Sequence, residues 1–352
     1  MVFIQSLVLV GLSLAFFFGQ LWRLNIGSLS FPVIDIFLLS FALTNLYFHH
    51  TPKNKYLFYF VIFSWISLLL NYLIHPLPWL ISATYLLRLT GILSLFIFPP
   101  IIPQNIKKLF FTIIIANIIF GLIQYFIWPD FTYFKAIGWD DHLNRLLSTY
   151  FDPTFTALIY LLFFIHLFFK KKITLVSSFL FLVTFLALAF TYSRSTFLSL
   201  IICGLFVSLV TKKSIIFFGS LILIGLTIIA LPRPAGEGTK LERTSSISAK
   251  LVNTTEALKL FCRSPLIGFG YNNLPNIQQN YSSHSNSGFD SSLLTLLVTT
   301  GLIGLTLFLT GFWQLFLVSS LETKTMLVAI FIHSLFANSL LYPFTLIFLI
   351  LI

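Results

Sequence analysis

Arg145 and Arg194 each stand in a short polar stretch that abuts a long apolar run. Arg145 lies in "NRLLSTYFDPTF", with Ser148, Thr149 and Tyr150 close behind and Pro153 opening the next run; Arg194 lies in "TYSRSTFL", flanked by Ser193 and Ser195. A guanidinium stays charged when partly buried and presents a fork of N–H donors that matches phosphate oxygens. At the edge of a bilayer such a charge is costly unless an anion meets it. The expected chemistry is therefore anion binding, with phosphate the best fit. A helix start just after Arg194 would add unpaired N–H groups and a positive dipole end. The plainer alternatives are a snorkelling anchor for Arg194 and a loop cation for Arg145, paired with Asp140, Asp141 or Asp152.

Proton transfer points to other residues. His284 and Asp290 both precede an apolar run and are the candidate general bases, because a histidine titrates near neutrality and burial tunes an aspartate upward. His142 is a weaker candidate, and His166 and His333 lie inside apolar runs, where a histidine more often satisfies local hydrogen bonds. Arg88 falls in the middle of "ATYLLRLTGIL". A charge at that depth is expensive and marks a candidate functional site; Asp35 is its expected partner. Arg243 and Arg263 are further candidates for anion binding. No H-E-x-x-H, paired cysteine or P-loop pattern is present, so the motifs offer neither a metal site nor an ATP site. Cys203 and Cys262 are too few for a disulfide framework and are expected to stay unpaired.

The elements that must position these residues are membrane helices. The 352 residues are 58% hydrophobic and only 9% charged, with 43 phenylalanines, a composition that excludes an ordinary soluble domain. Windows of about 20 apolar residues give about eleven spans, near 3–21, 31–48, 56–74, 79–98, 109–128, 153–169, 173–191, 195–211, 215–231, 291–320 and 326–350. The expected fold class is an all-α, polytopic transmembrane helix bundle, one integral membrane domain over residues 1–352. The first run lacks a basic start and a cleavage site and is read as a retained span.

The net charge of +11 does not point to nucleic acid. Lys53, Lys55, Lys107, Lys108, Lys170, Lys171, Lys172, Lys212, Lys213 and Lys324 fall in alternate connections. That is the positive-inside pattern, which puts the N-terminus in the cytoplasm and, with eleven spans, the C-terminus outside. Every arginine is then outside or in the membrane. Two outer loops are long, 129–152 and 232–290, and long loops in compact folds are commonly functional. Within the second, Ser246 to Cys262 has the apolar spacing of an amphipathic helix lying on the membrane surface or on the bundle.

Four outer-face segments together resemble the O-antigen ligase and polymerase superfamily. They are "RLLSTYFDPTFTALIYLLF", "TYSRSTFLSLIICG", "EALKLFCRSPLIGFGYNN" and "DSSLLTLLVTTGLIGLTLFL". Their order and side match over residues 140–310. The resemblance implies a glycosyltransferase of the bacterial cytoplasmic (inner) membrane that serves surface polysaccharide or lipopolysaccharide assembly. It would take glycan from an undecaprenyl-diphosphate carrier at the outer face, without nucleotide sugar, cofactor or metal. Arg145 and Arg194 match the family's two arginines that hold the donor diphosphate. The acceptor is a glycan or a lipid, and a chain-length regulator or a flippase would be further partners. In the family's ligases a histidine opens the last signature. That place is Asp290 here, with His284 six residues upstream, so both stay open as the base and a polymerase is slightly favoured over a ligase. A lipid-linked sugar flippase or exporter is the alternative of another class. It is disfavoured because charge gathers at one face instead of lining a path through the bilayer.

Overall fold

The computed structural model describes residues 2–26, 29–48, 51–74, 80–172, 174–278 and 288–352. His284 lies outside them. Ten of the expected windows hold a helix: α1 (Val2–Phe18), α2 (Ile34–Phe48), α3 (Lys55–Ile74), α4 (Leu80–Ile97), α5 (Gln104–Ile127), α6 (Pro153–Phe168), α7 (Leu175–Ala189), α8 (Arg194–Thr211), α9 (Ser214–Ala230) and, after the long loop, α12 (Ser292–Val318). The long loop itself holds α10 (Ser245–Phe261) and α11 (Leu274–Gln278). Helices α3, α4, α5, α8 and α12 are long and apolar enough to cross a membrane, and α1, α2, α6, α7 and α9 are apolar but shorter.

The eleventh window is not one helix. Residues 326–350 divide into α13 (Leu321–Ser334) and α14 (Pro343–Leu351), separated by a break over 335–342. Helix α13 runs antiparallel to α8: Cys203 Sγ approaches Thr325 O at 3.4 Å, and Ser195 Oγ lies 3.1 Å from His333 Nε2. Helix α14 then turns back along α5. Phe348 packs on Phe110, and Lys107 Nζ donates to Ile352 O at 3.3 Å. Lys107 sits in the first turn of α5, at the end of the bundle that gathers the lysines. Ile352 therefore lies at the lysine end. This corrects the single eleventh span. The physical reason is local: Asn338 and Ser339 sit inside the window and bond tertiary partners, and Pro343 ends the break as the first residue of α14, where its missing N–H costs nothing.

Two short antiparallel hairpins add strand where none is legible in the sequence. Strand β1 (Arg23–Ile26) pairs with β2 (Leu29–Pro32), and β3 (Asp130–Phe131) with β4 (His142–Leu143). After β4 the chain does not cross to α6 along the surface. It descends beside the last three turns of α5: Asn144 N donates to Pro129 O, Leu147 N to Gln124 Oε1, and Ser148 Oγ to Asn117 O. That is a drop of roughly 16 Å at 1.5 Å per residue. Buried Tyr150 ends the descent in an aromatic core, 5.7 Å from Phe16 and 5.1 Å from Phe344.

Candidate functional site

The turns that carry the arginines are conformationally demanding. Six non-glycine residues among those described have positive φ, and four of them, Asn144, Ser148, Phe151 and Tyr192, flank Arg145 and Arg194. L-residues enter this region at a cost and persist there only when their surroundings hold them. Tyr192, at φ 54°, is fully buried, and its hydroxyl donates to Pro232 O at 3.0 Å. Asp152 stops the descending segment by capping α6, accepting from Thr154 N at 2.6 Å and Phe155 N at 3.2 Å.

These turns bring the two arginines together. Arg145 is buried, and its Nε donates to Thr191 O at 2.9 Å, three residues before Arg194. Leu146 N donates to Phe190 O at 3.0 Å, which fixes the segments side by side. Arg194 is the first residue of α8, and its guanidinium donates to the carbonyl oxygens of Leu241 (3.2 Å) and Arg243 (2.7 Å) and to Ser246 Oγ. Arg243 joins the cluster, donating to Gly238 O at 2.6 Å and Lys240 O at 2.9 Å. A Cβ built on Gly238 would lie 2.5 Å from Arg145 Cδ, so the lack of a side chain lets the loop close over that arginine. Burial, then the charges of Arg243 and Arg194, hold the Arg145 guanidinium down to about 9, against the opposing pull of Asp152. Arg145, Arg194 and Arg243 lie within electrostatic reach of one another, with Asp152, Glu237 and Glu242 around them, and three guanidinia so gathered suit a multivalent anion.

The base candidates are placed differently. Asp290 sits just before α12, where its carboxylate pairs with Lys250 Nζ at 3.5 Å and its N–H donates to Asn253 Oδ1 at 3.0 Å. Lys250 is one helical turn beyond Ser246 on α10, so one helix touches Arg194 with one residue and Asp290 with the next on that face. Arg263 is exposed just past the end of α10, with no described contact to the cluster. Arg88 lies two turns into α4, with its Nε 2.9 Å from Asp35 Oδ1, the partner expected for it.

Two histidines carry more of the site than their sequence context suggests. His142 is half-buried next to Arg145 and Asp152, and its Nε2 is enclosed without a hydrogen-bond partner. Burial, with a smaller part from Arg145, pushes its imidazole down to about 4, against the pull of Asp152 and Asp141. His333 is fully buried between Ser195 and Ser339. No local pattern announces it, because its partners come from α8 and from the break after α13. His166 instead meets Glu322 at 2.6 Å at the lysine end. Both cysteines are free, Cys203 buried and Cys262 exposed. Among the described residues no three His, Cys, Asp or Glu side chains gather as a metal site.

The end of α13 and the 335–342 break fasten the start of α12 and α10 beside Asp290. Ser291 Oγ donates to Ser334 O, Ser292 Oγ to Ala337 O, Asn338 Nδ2 to Phe289 O, and Lys250 Nζ to Phe336 O. Behind it, α12 kinks at Gly301 (φ 63°, ψ −170°). There Leu302 N donates to Pro265 O and Gly270 N to Thr299 O, both at 2.8 Å. The end of the long loop is thus sewn to α12. Toward solvent and lipid, Ile247, Leu251 and Leu258 of α10 are exposed while Ala257 and Leu260 pack inward, the division an interfacial helix requires.

Residues 178–309, from within α7 to within α12, match the O-antigen ligase family. Together with helices long and apolar enough to cross a membrane, this marks an integral membrane protein that is similar to the O-antigen ligase family over that stretch. The resemblance read from the sequence is borne out over that stretch, which includes Arg194, Arg243, Arg263 and Asp290 and leaves Arg145, Arg88 and His333 outside it. No curated protein matches the chain.

Proposed function

We propose that the protein is a polyprenyl-diphosphate-dependent glycosyltransferase that joins lipid-linked repeat units at the outer face of the bacterial cytoplasmic membrane. In this reading it is a polymerase more than a ligase, and it needs no metal. The observation that supports it is the gathering of Arg145, Arg194 and Arg243 within electrostatic reach of one another. The donor is undecaprenyl-diphosphate-linked glycan. As the bond from the sugar carbon to the diphosphate oxygen breaks, the leaving diphosphate gains charge, and fixed cations stabilise it. The acceptor hydroxyl oxygen forms the new bond to that carbon and gives its proton to a base. Asp290 is assigned that role, oriented by Lys250, with His284 as the alternative. In this reading the exposed apolar face of α10 holds the 232–290 loop at headgroup level, where a lipid-linked sugar lies.

The test is a purified-protein assay with undecaprenyl-diphosphate-linked repeat units alone, wild type beside Arg194→Ala, with products resolved by size. A ladder from the wild type that the variant abolishes is expected. No ladder, but transfer to an added lipid or protein acceptor, would make the protein a ligase. Inactivity in both assays would overturn the glycosyltransferase reading in favour of transport.

A further inference from the structure

A second group of cations lies on the other side of the break. Arg88 reaches Asp35 from α4, and the β1–β2 hairpin, which pairs Arg23 with Pro32 just before α2, carries Arg23 within electrostatic reach of both. Arg23 is held by Gln20 Oε1, by Ser30 Oγ at 3.0 Å and by Ser30 O at 2.7 Å, and its guanidinium lies 5.4 Å from the centre of the Trp139 ring. Tyr85, Tyr271 and Tyr342 complete the surroundings, since each is within electrostatic reach of Arg23 or Arg88. The Arg88 side chain keeps 23% of its surface exposed, while its Nε, which faces Asp35, is enclosed.

An ion pair that only fastened α2 to α4 would be neutral and would gain nothing from a third charge. Here the fold uses several contacts to hold a second guanidinium near the first, although the two repel. One carboxylate faces two cations and leaves one positive charge over. The basin is separate from the Arg145–Arg194 cluster. Tyr342 stacks on Phe155 at 4.0 Å between them, and Asp152 lies beside both Tyr342 and Arg145.

We infer that Arg23 and Arg88 form a second anion site, which takes the diphosphate headgroup of a second polyprenyl-linked molecule, the acceptor. The inference rests on the reading above, in which two lipid-linked chains must meet. It also bears on that reading, because transfer to a protein acceptor would leave this basin without a ligand.

The test measures how many lipids the full chain binds in detergent, using a short-chain polyprenyl diphosphate as probe, with the uncharged polyprenol and phosphatidylglycerol as comparisons. The wild type is expected to bind two equivalents of the diphosphate. Arg23→Gln, which leaves the Asp35–Arg88 pair intact, should weaken one of them by about tenfold or more. The charge-neutral pair Asp35→Asn with Arg88→Gln should do the same, and serves as a second variant should either one fold poorly. Arg194→Ala should remove the other equivalent. If both basin variants still bind two, or if the wild type binds one that Arg194→Ala removes, the inference fails while the donor site stands. If the basin variants lose one and Arg194→Ala loses none, the donor site fails instead. Equal competition by phosphatidylglycerol would make the basin a general phospholipid contact and overturn the acceptor assignment.

Discussion

His333 Nε2 lies 3.1 Å from Ser195 Oγ, across 138 residues of sequence, and its other ring nitrogen meets Ser339. One imidazole thus ties the turn that carries Arg194 to the break that splits the end of the chain. His333→Ala leaves the hydroxyls of half-buried Ser195 and buried Ser339 without that partner and is expected to cost about 1–3 kcal/mol. Thermal unfolding of the single variants and of the double variant with Ser195→Ala checks this. Strictly additive losses would mean that the contact contributes nothing.

Arg194 donates in two directions at once, and a lysine cannot reproduce that fork. Arg194→Lys is therefore expected to lose transfer activity nearly as fully as Arg194→Ala, by about a hundredfold or more, with melting temperatures close to wild type. Full activity in the lysine variant would show that charge alone suffices.

His142 gives the protein a pH dependence of defined sign. Its folded value of about 4 lies below the ordinary 6.5. Between these values the unfolded chain binds more protons than the folded one, so stability falls as the pH drops through that window. Melting curves from pH 7 to pH 4.5 should show a flatter decline for His142→Gln than for wild type. An identical slope in the two proteins would remove His142 as the source.

Gly301 combines φ 63° with a close approach: an added Cβ would stand 2.2 Å from Leu266 O. Gly301→Ala is expected to cost at least about 1–3 kcal/mol from backbone strain alone, read as lower yield and a lower melting temperature. A variant as stable as wild type would mean that the kink relaxes freely.

Much of the site was legible because charge is so scarce in this chain. Arg145, Arg194 and Arg88 stand out against apolar neighbours, and Asp35 was the acidic residue at the right depth for Arg88. The spacing of Ile247, Leu251 and Leu258 announced α10. The break after Ser334 was hidden by averaging: Asn338, Ser339 and Pro343 sit in a window whose mean hydropathy is set by the leucines and phenylalanines around them. The descent of 144–150 was hidden for another reason. Its polar groups are satisfied by Asn117 and Gln124 inside α5, where an isolated polar side chain reads as an ordinary inward-facing residue. Arg23 carries no local signal, because a hairpin, not a periodic pattern, brings it toward Arg88.

The contacts of Arg194 have a thermodynamic consequence. Its donors are engaged by the carbonyls of Leu241 and Arg243 and by the hydroxyl of Ser246. An anion that takes these donors must exchange with those three groups, so occupancy of Arg194 and the seating of residues 241–246 form one coupled equilibrium. The far end of the same loop is stitched to α12 at Gly301 and does not share in that exchange. Under the proposed function the affinity for an anion is therefore a difference between two sets of partners, and Ser246→Ala, which removes one of them without touching a ligand, is expected to shift it.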